Sequence, residues 1–188
     1  MVIRPLRFNI YLLLTAALMP LLGCQTAEKK AEQQMATLRI HLETNPLLAE
    51  QSEVVSVIRS APMLVCVEKY PFLNESHLAA ARVVDNPDGF TVFLQFNHQG
   101  QRLLEQYSSA NSRRRFAIRT QFRQSTNAFD RWIAAPLITG RIPDGILGFT
   151  PDANRAEAEA MVLGWNNVAN LNEPKKKDEG KKNSATPK

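Results

Sequence analysis

The sequence predicts an α+β domain, a single mostly antiparallel sheet with two main helices packed on one face. Three observations carry that expectation. Several short stretches alternate apolar and polar residues at period two, the mark of half-buried strands. Two longer stretches repeat their apolar residues at helical spacing. The strand-like stretches follow one another in hairpin fashion instead of alternating strictly with helices, and no period of about 20 to 50 residues recurs, which excludes solenoids.

The easiest element to read is Gly89 to Tyr107. Asp85-Asn86-Pro87-Asp88-Gly89 is a dense turn signal, after which Phe90, Val92, Leu94 and Phe96 form one apolar face of a strand. Asn97 is placed to cap a helix that carries Leu103, Leu104 and Tyr107 and ends near Ser108 to Ser112. Gly100, in its first turn, costs about 1 kcal/mol relative to alanine and predicts a close backbone approach. Upstream, Thr37 to Glu43 alternates Leu38, Ile40 and Leu42 with polar residues, which places His41 on the polar face. Val54 to Ile58 and Met63 to Val67 are two further strands, and Asn74 caps an expected short helix through Leu78 and Ala81. Downstream, Phe116, Ile118, Thr120 and Phe122 mark a strand, Gln124 to Phe129 a polar loop, and Trp132 to Ile138 a strand that Pro136 assigns to an edge or a bulge. Ile146-Leu147-Gly148 is a short extended piece. Phe149 to Asp152 then opens a last helix with a small-residue stripe of Ala153, Ala156, Ala160 and Gly164. The domain is expected over 37–172, after a tether at 24–36 and before a disordered lysine-rich tail at 173–188.

The formal charge of +5 lies at the ends. Without Arg4 and Arg7 of the leader and the tail's six lysines and three acids, residues 24–172 hold fifteen basic and fifteen acidic residues, which argues against nucleic acid as a partner. Residues 1–23 combine that positive start with an apolar run from Ile10 to Leu22 and the sequence Leu21-Leu22-Gly23-Cys24, which resembles the lipobox of bacterial lipoprotein signal peptides. That resemblance implies lipidation (palmitate and related acyl chains) at Cys24 and anchoring on the extracytoplasmic side of the cell envelope. The apolar run is shorter than the roughly 20 residues that cross a bilayer. Gln25 after the cysteine favours the outer membrane under the enterobacterial sorting rule. Cys66, within the apolar run Met63 to Val67, then lacks an intrachain partner and reads as a small buried hydrophobe.

Nothing in the chain has the spacing of a catalytic or metal constellation. His41, His77 and His98 stand far apart, no Gly-x-Ser-x-Gly elbow occurs, and Asp85 and Asp88 serve a turn. No metal, no cofactor, no small-molecule substrate and no enzymatic activity are expected. The candidate partner-binding residues are Arg113, Arg114 and Arg115 with Arg119 and Arg123 on the outward face of the following strand. They either guard an edge strand against aggregation or dock anionic lipid headgroups or an acidic protein segment.

From about Val65 to Trp165 the chain resembles the head subdomain of the first periplasmic region of SecD. The matching residues are Leu73-Asn74 with Leu78 and Ala81, the Val92 to Phe96 strand followed by Asn97 and Gly100, Leu104, and Arg115-Phe116-Ala117-Ile118. Beyond these come Ala135-Pro136-Leu137-Ile138 with Gly140, and Ile146 to Thr150 leading to Ala156 or Ala158. Two departures are the longer loop Gln124 to Asp130 and Ser108 in place of threonine. The resemblance implies an extracytoplasmic binding module that contacts exported polypeptides, the Sec machinery or another envelope complex, with an exposed apolar strip or edge strand beside the arginines. The alternative from another class is a structural lipoprotein that links the membrane to cell-wall polymers through its basic tail.

Overall fold

The computed structural model describes residues 34–47, 51–58, 61–124 and 127–172, all within one compact unit, 34–188. The leader with Cys24, most of the tether and the tail lie outside the described residues. In chain order the elements are β1 (Ala36–Leu42), β2 (Ser52–Val57), β3 (Met63–Glu68), β4 (Leu73–Asn74), a 3₁₀ turn (Glu75–His77), β5 (Leu78–Asn86), β6 (Gly89–Phe96), α1 (His98–Ala110), β7 (Phe116–Gln124), β8 (Asn127–Ala134), β9 (Ile146–Phe149) and α2 (Arg155–Asn172). The α+β class holds and every strand pair is antiparallel, but the expected single sheet is three among the described residues. Their orders are β4-β1-β7-β8, β2-β3 and β5-β6-β9.

One core joins the inner face of the four-stranded sheet, the three-stranded sheet and both helices. Leu38, Ile40, Phe116, Ile118 and Phe122 meet Val92, Leu94 and Phe96, with Leu104 of α1 and Met161 and Trp165 of α2. The Trp165 indole N–H donates to the Thr37 carbonyl at 2.8 Å, so the largest buried side chain is also satisfied. The other face of the four-stranded sheet is covered in part by the β2–β3 hairpin, through Val55, Val57, Val65 and Val67 packed on Ala117 and Ala135.

Local chemistry explains the elements. The Asn97 side chain accepts from the Gly100 amide at 3.0 Å and donates to the Ser76 carbonyl at 2.9 Å, which caps α1 and ties it to the 3₁₀ turn. A Cβ on Gly100 would lie 2.9 Å from both the Cβ and the carbonyl oxygen of His77, the close approach that the helix-weakening glycine predicts. The Pro87-Asp88 turn closes β5 onto β6 with Asn86 opposite Gly89.

Several expectations are corrected. Asn74 does cap, but only one 3₁₀ turn follows, and Leu78 to Asn86 is the hairpin partner of β6. The helical propensity of Ala79-Ala80-Ala81 yields to pairing along eight residues of β6. β8 begins at Asn127, not Trp132, so the resemblance's longer loop from 124 to 130 is mostly strand. The sheet does continue past β8 as expected, since Arg115 bridges Leu137 and the Phe116 amide donates to the Pro136 carbonyl. His41 is buried, because the β2–β3 hairpin covers the face that sequence alternation marks as polar. Cys66 is a free thiol and half-buried, since it pairs with Val54 on the outer face of that hairpin. On α2, Ala156 is exposed and the buried stripe runs through Ala158, Met161, Gly164 and Trp165. Tertiary contacts begin at the end of the expected tether: the Asn167 side chain donates to the Gln34 carbonyl at 2.7 Å, and Ala36 already belongs to β1.

Candidate functional site

The five arginines do not form one patch. Ala117, fully buried under the β2–β3 hairpin, separates Arg115 from Arg119, and Arg123 lies about 26 Å along the strand from Arg115. Arg119 is occupied. It donates twice to Asp130, at 2.9 Å each, with its guanidinium 5.9 Å from the Trp132 ring centroid. The Arg119 hydrogen bonds hold the Asp130 carboxyl below its ordinary range, and the same contact raises the Arg119 pKa. Arg39 of β1, opposite Arg119, adds a positive charge to this face that strand alternation alone does not single out.

Arg113, Arg114 and Arg115 stay together at the start of β7. Arg113 and Arg114 are exposed, and among the described residues neither has an ion pair. Arg113 takes φ of 70°, a left-handed conformation that turns the chain from α1 into β7. Arg115 is half-buried. Its side chain donates to the Ala135 carbonyl at 2.9 Å, and its amide donates to Glu43 at 2.7 Å. The main chains of Arg113 and Arg114 bond to Ile138, which lines a groove whose own arginine is Arg141.

That groove, of about 230 Å³, lies between Pro136–Ile142 and β9 with Phe116 on its wall. Two strand edges that are unpaired among the described residues line it. The Phe116 amide donates to Pro136 and the Ile138 amide to Arg114, so the intervening Leu137 turns its own amide and carbonyl away from β7. Across the groove, the Phe96 amide donates to Gly145. Antiparallel alternation then directs Leu147 and Phe149 toward β6 and leaves Ile146 and Gly148 facing away. Asp144 accepts the Ile146 amide at 3.1 Å, and among the described residues the Gly148 amide and carbonyl stay open. Leu137, 49% exposed, and Ile142 supply apolar surface at the mouth.

Helix α1 holds the walls. The buried Ser108 hydroxyl accepts the Ile142 amide at 2.9 Å, Gln101 donates to the Pro143 carbonyl at 2.7 Å, and Arg141 pairs with Glu105. A Cβ on Gly145, at φ of 70°, would meet Gln101 at 2.9 Å, so the turn is seated directly on the helix. Sequence reading assigned no role to Ser108, Gln101, Ile142 or Gly148. The only signal available was the Ile142-Pro143-Asp144-Gly145 turn beside the short strand. The groove can grip main chain and apolar side chains. Among the described residues no group of three or more His, Cys, Asp or Glu could hold a metal ion, and no helix is long and apolar enough to cross a membrane.

No family model and no curated relative matches the chain. Among solved structures it is similar to the membrane component SecDF that enhances protein export, with 19% identity and a TM-score of 0.52, over 78% of this chain and 71% of that one. It also matches SecDF in a super-membrane-facing form, with 20% identity and a TM-score of 0.49, over 73% of this chain and 20% of that one. A translocon-associated SecDF from Thermus thermophilus matches with 15% identity and a TM-score of 0.39, over 86% of this chain and 34% of that one. At these identities the likeness is one of fold, and it rests on the first of the three. The SecD head-like fold that the sequence resemblance implies is the fold this chain has.

Proposed function

We propose that this SecD head-like module is a non-catalytic binding protein of the bacterial envelope, lipid-anchored through Cys24, and that its groove holds short extended apolar stretches of exported polypeptide. The observation that carries the reading is the groove itself: apolar walls and main-chain groups at Leu137 and Gly148 that are open among the described residues. Such a surface suits a chain whose sequence varies, because main-chain pairing is independent of side-chain identity. The fold likeness to a protein that enhances export supports the setting. Arg119 and Arg123 have no part in this groove; they lie on the other side of the β2–β3 hairpin.

In-cell photocrosslinking tests it. A photoreactive residue replacing Leu137 or Gly140 in the full chain is expected to capture many unrelated exported polypeptides, and one replacing Arg119 far fewer. Gly140 tolerates the change because a Cβ there meets nothing within 4 Å. A single dominant envelope protein, or wall fragments alone, would shift the reading to a dedicated assembly role or to the wall-linking lipoprotein.

A further inference from the structure

β2 has an open edge. Among the described residues its only hydrogen-bonded neighbour is β3. The Lys69 amide donates to the Gln51 carbonyl at 3.0 Å, and the ladder alternates, so Glu53, Val55 and Val57 turn their main chain toward β3. Ser52, Val54 and Ser56 turn theirs outward. The side chains of these three share the outer face of the hairpin, where Val54 is 61% and Leu64 73% exposed. Natural edges are usually blunted by lysine, proline or a bulge. Ser52–Val57 has no lysine or proline, its register with β3 is unbroken, and its one charge, Glu53, alternates to the opposite face.

We infer that β2 pairs with β2 of a second copy of this chain, antiparallel about a two-fold axis through Val54. In that register Val54 faces Val54 of the second copy, and Ser52 faces Ser56 in both directions. Every outward amide then meets an outward carbonyl, about six hydrogen bonds in all. Charge selects the register. Glu53 falls opposite Val55 of the second copy, whereas an axis through Glu53 would set two carboxylates face to face, which weakens a sheet. Moving the axis toward Ile58 runs off the strand, since Ile58 takes φ of 69°. The product is a four-stranded sheet from two two-stranded ones, past the three strands that give a sheet independent stability. Any extended segment could supply the main-chain bonds, but a second copy also sets valine against valine and serine against serine about the axis.

Cysteine substitution in the full chain reads the register directly. With Cys66→Ser as the parent, Val54→Cys is expected to give a disulfide-linked dimer in the cell envelope, since hydrogen-bonded antiparallel pairs hold their Cα atoms about 5.5 Å apart, inside disulfide range. Ser52→Cys or Ser56→Cys alone should give about tenfold less, and the two co-expressed should recover the dimer. Val54→Pro supplies the second measurement. It removes an amide that faces away from β3, so the hairpin persists, and the full chain in detergent is expected to sediment as a monomer with an unchanged circular dichroism spectrum while the wild type sediments as a dimer. Equal crosslinking at 52, 54 and 56, no dimer from Val54→Cys, a monomeric wild type, or an adduct between Val54→Cys and a different protein each overturns the inference.

Discussion

His41 is held between two sheets with one of its two ring nitrogens satisfied. Nδ1–H donates to the Glu68 carbonyl at 2.8 Å, Nε2 has no partner among the described residues, and the ring meets Trp132 edge-on at 4.9 Å. Burial holds its pKa below the ordinary value, with Arg119 and Arg39 adding to the lowering against the bond to Glu68 and the charge of Glu53. The unfolded chain, titrating near pH 6.5, therefore binds the proton first, and stability rises with pH across that window. The contribution is complete above about pH 6.5 and is lost as pH falls toward the folded value. Urea midpoints measured from pH 7.5 down to pH 5 should fall, and His41→Asn should flatten the slope. Part of it remains in the variant, because burial also lowers the His77 pKa and acts with the same sign. A slope identical to the wild type would show that His41 does not titrate in this way. Alternation alone placed this side chain in water; only the hairpin packed over it, which is a tertiary fact, makes it a buried base.

The start of α2 is tied to β8 by a charge pair. Glu157 accepts from the Asn154 amide at 3.0 Å and from Arg131 of β8 at 2.8 Å, and its own amide donates to Asn154 at 2.9 Å. Both side chains are nearly buried, at 14% and 8% exposure, and the Arg131 guanidinium lies 5.5 Å from the Phe129 ring centroid. Replacing Arg131 by leucine removes a nearly buried charge partner of Glu157 and is expected to cost about 3–5 kcal/mol. Adding Glu157→Gln should recover a large part of that loss, as a denaturation double-mutant cycle would show. The same pair explains a failure of sequence reading. Asp130 and Arg131 look like loop residues, yet Asp130 faces Arg119 and Arg131 faces Glu157, and both partners are distant in sequence or on another strand. Where polarity is absent or paired locally, the elements were legible: β1, β6 and β7 follow from alternation, β2 and β3 from short apolar runs, and α1 from its Asn97 cap. β5 was not, because three consecutive alanines carry no face. The groove was not either, since the bond that sets its wall joins Ser108 to Ile142 from outside α1.

For the molecule as a whole, attachment and assembly are separate questions. In the proposed reading, attachment rests on the leader. Cys24→Ser is expected to abolish incorporation of labelled palmitate and to move the protein from the membrane fraction to the soluble one, since one missing diacyl group removes most of the membrane affinity at about 0.8 kcal/mol per buried CH₂. Retention in the membrane without label would point to an uncleaved apolar leader instead. Assembly rests on β1. It lies between β4 and β7, and Ala36 pairs with Phe122 across most of the described chain. A ribosome or an export channel delivers the chain from its N-terminal end, so the hairpins β2–β3 and β5–β6 can close as they emerge while β1 waits for β7. Long-range pairing of this kind is slow, in the millisecond to second range for sheet-rich domains, and leaves unpaired strands exposed in the meantime. Leu38, Ile40 and Leu42 are thus among the first core residues made and among the last to be covered, and the interval between those events is when the nascent chain most needs protection from its neighbours.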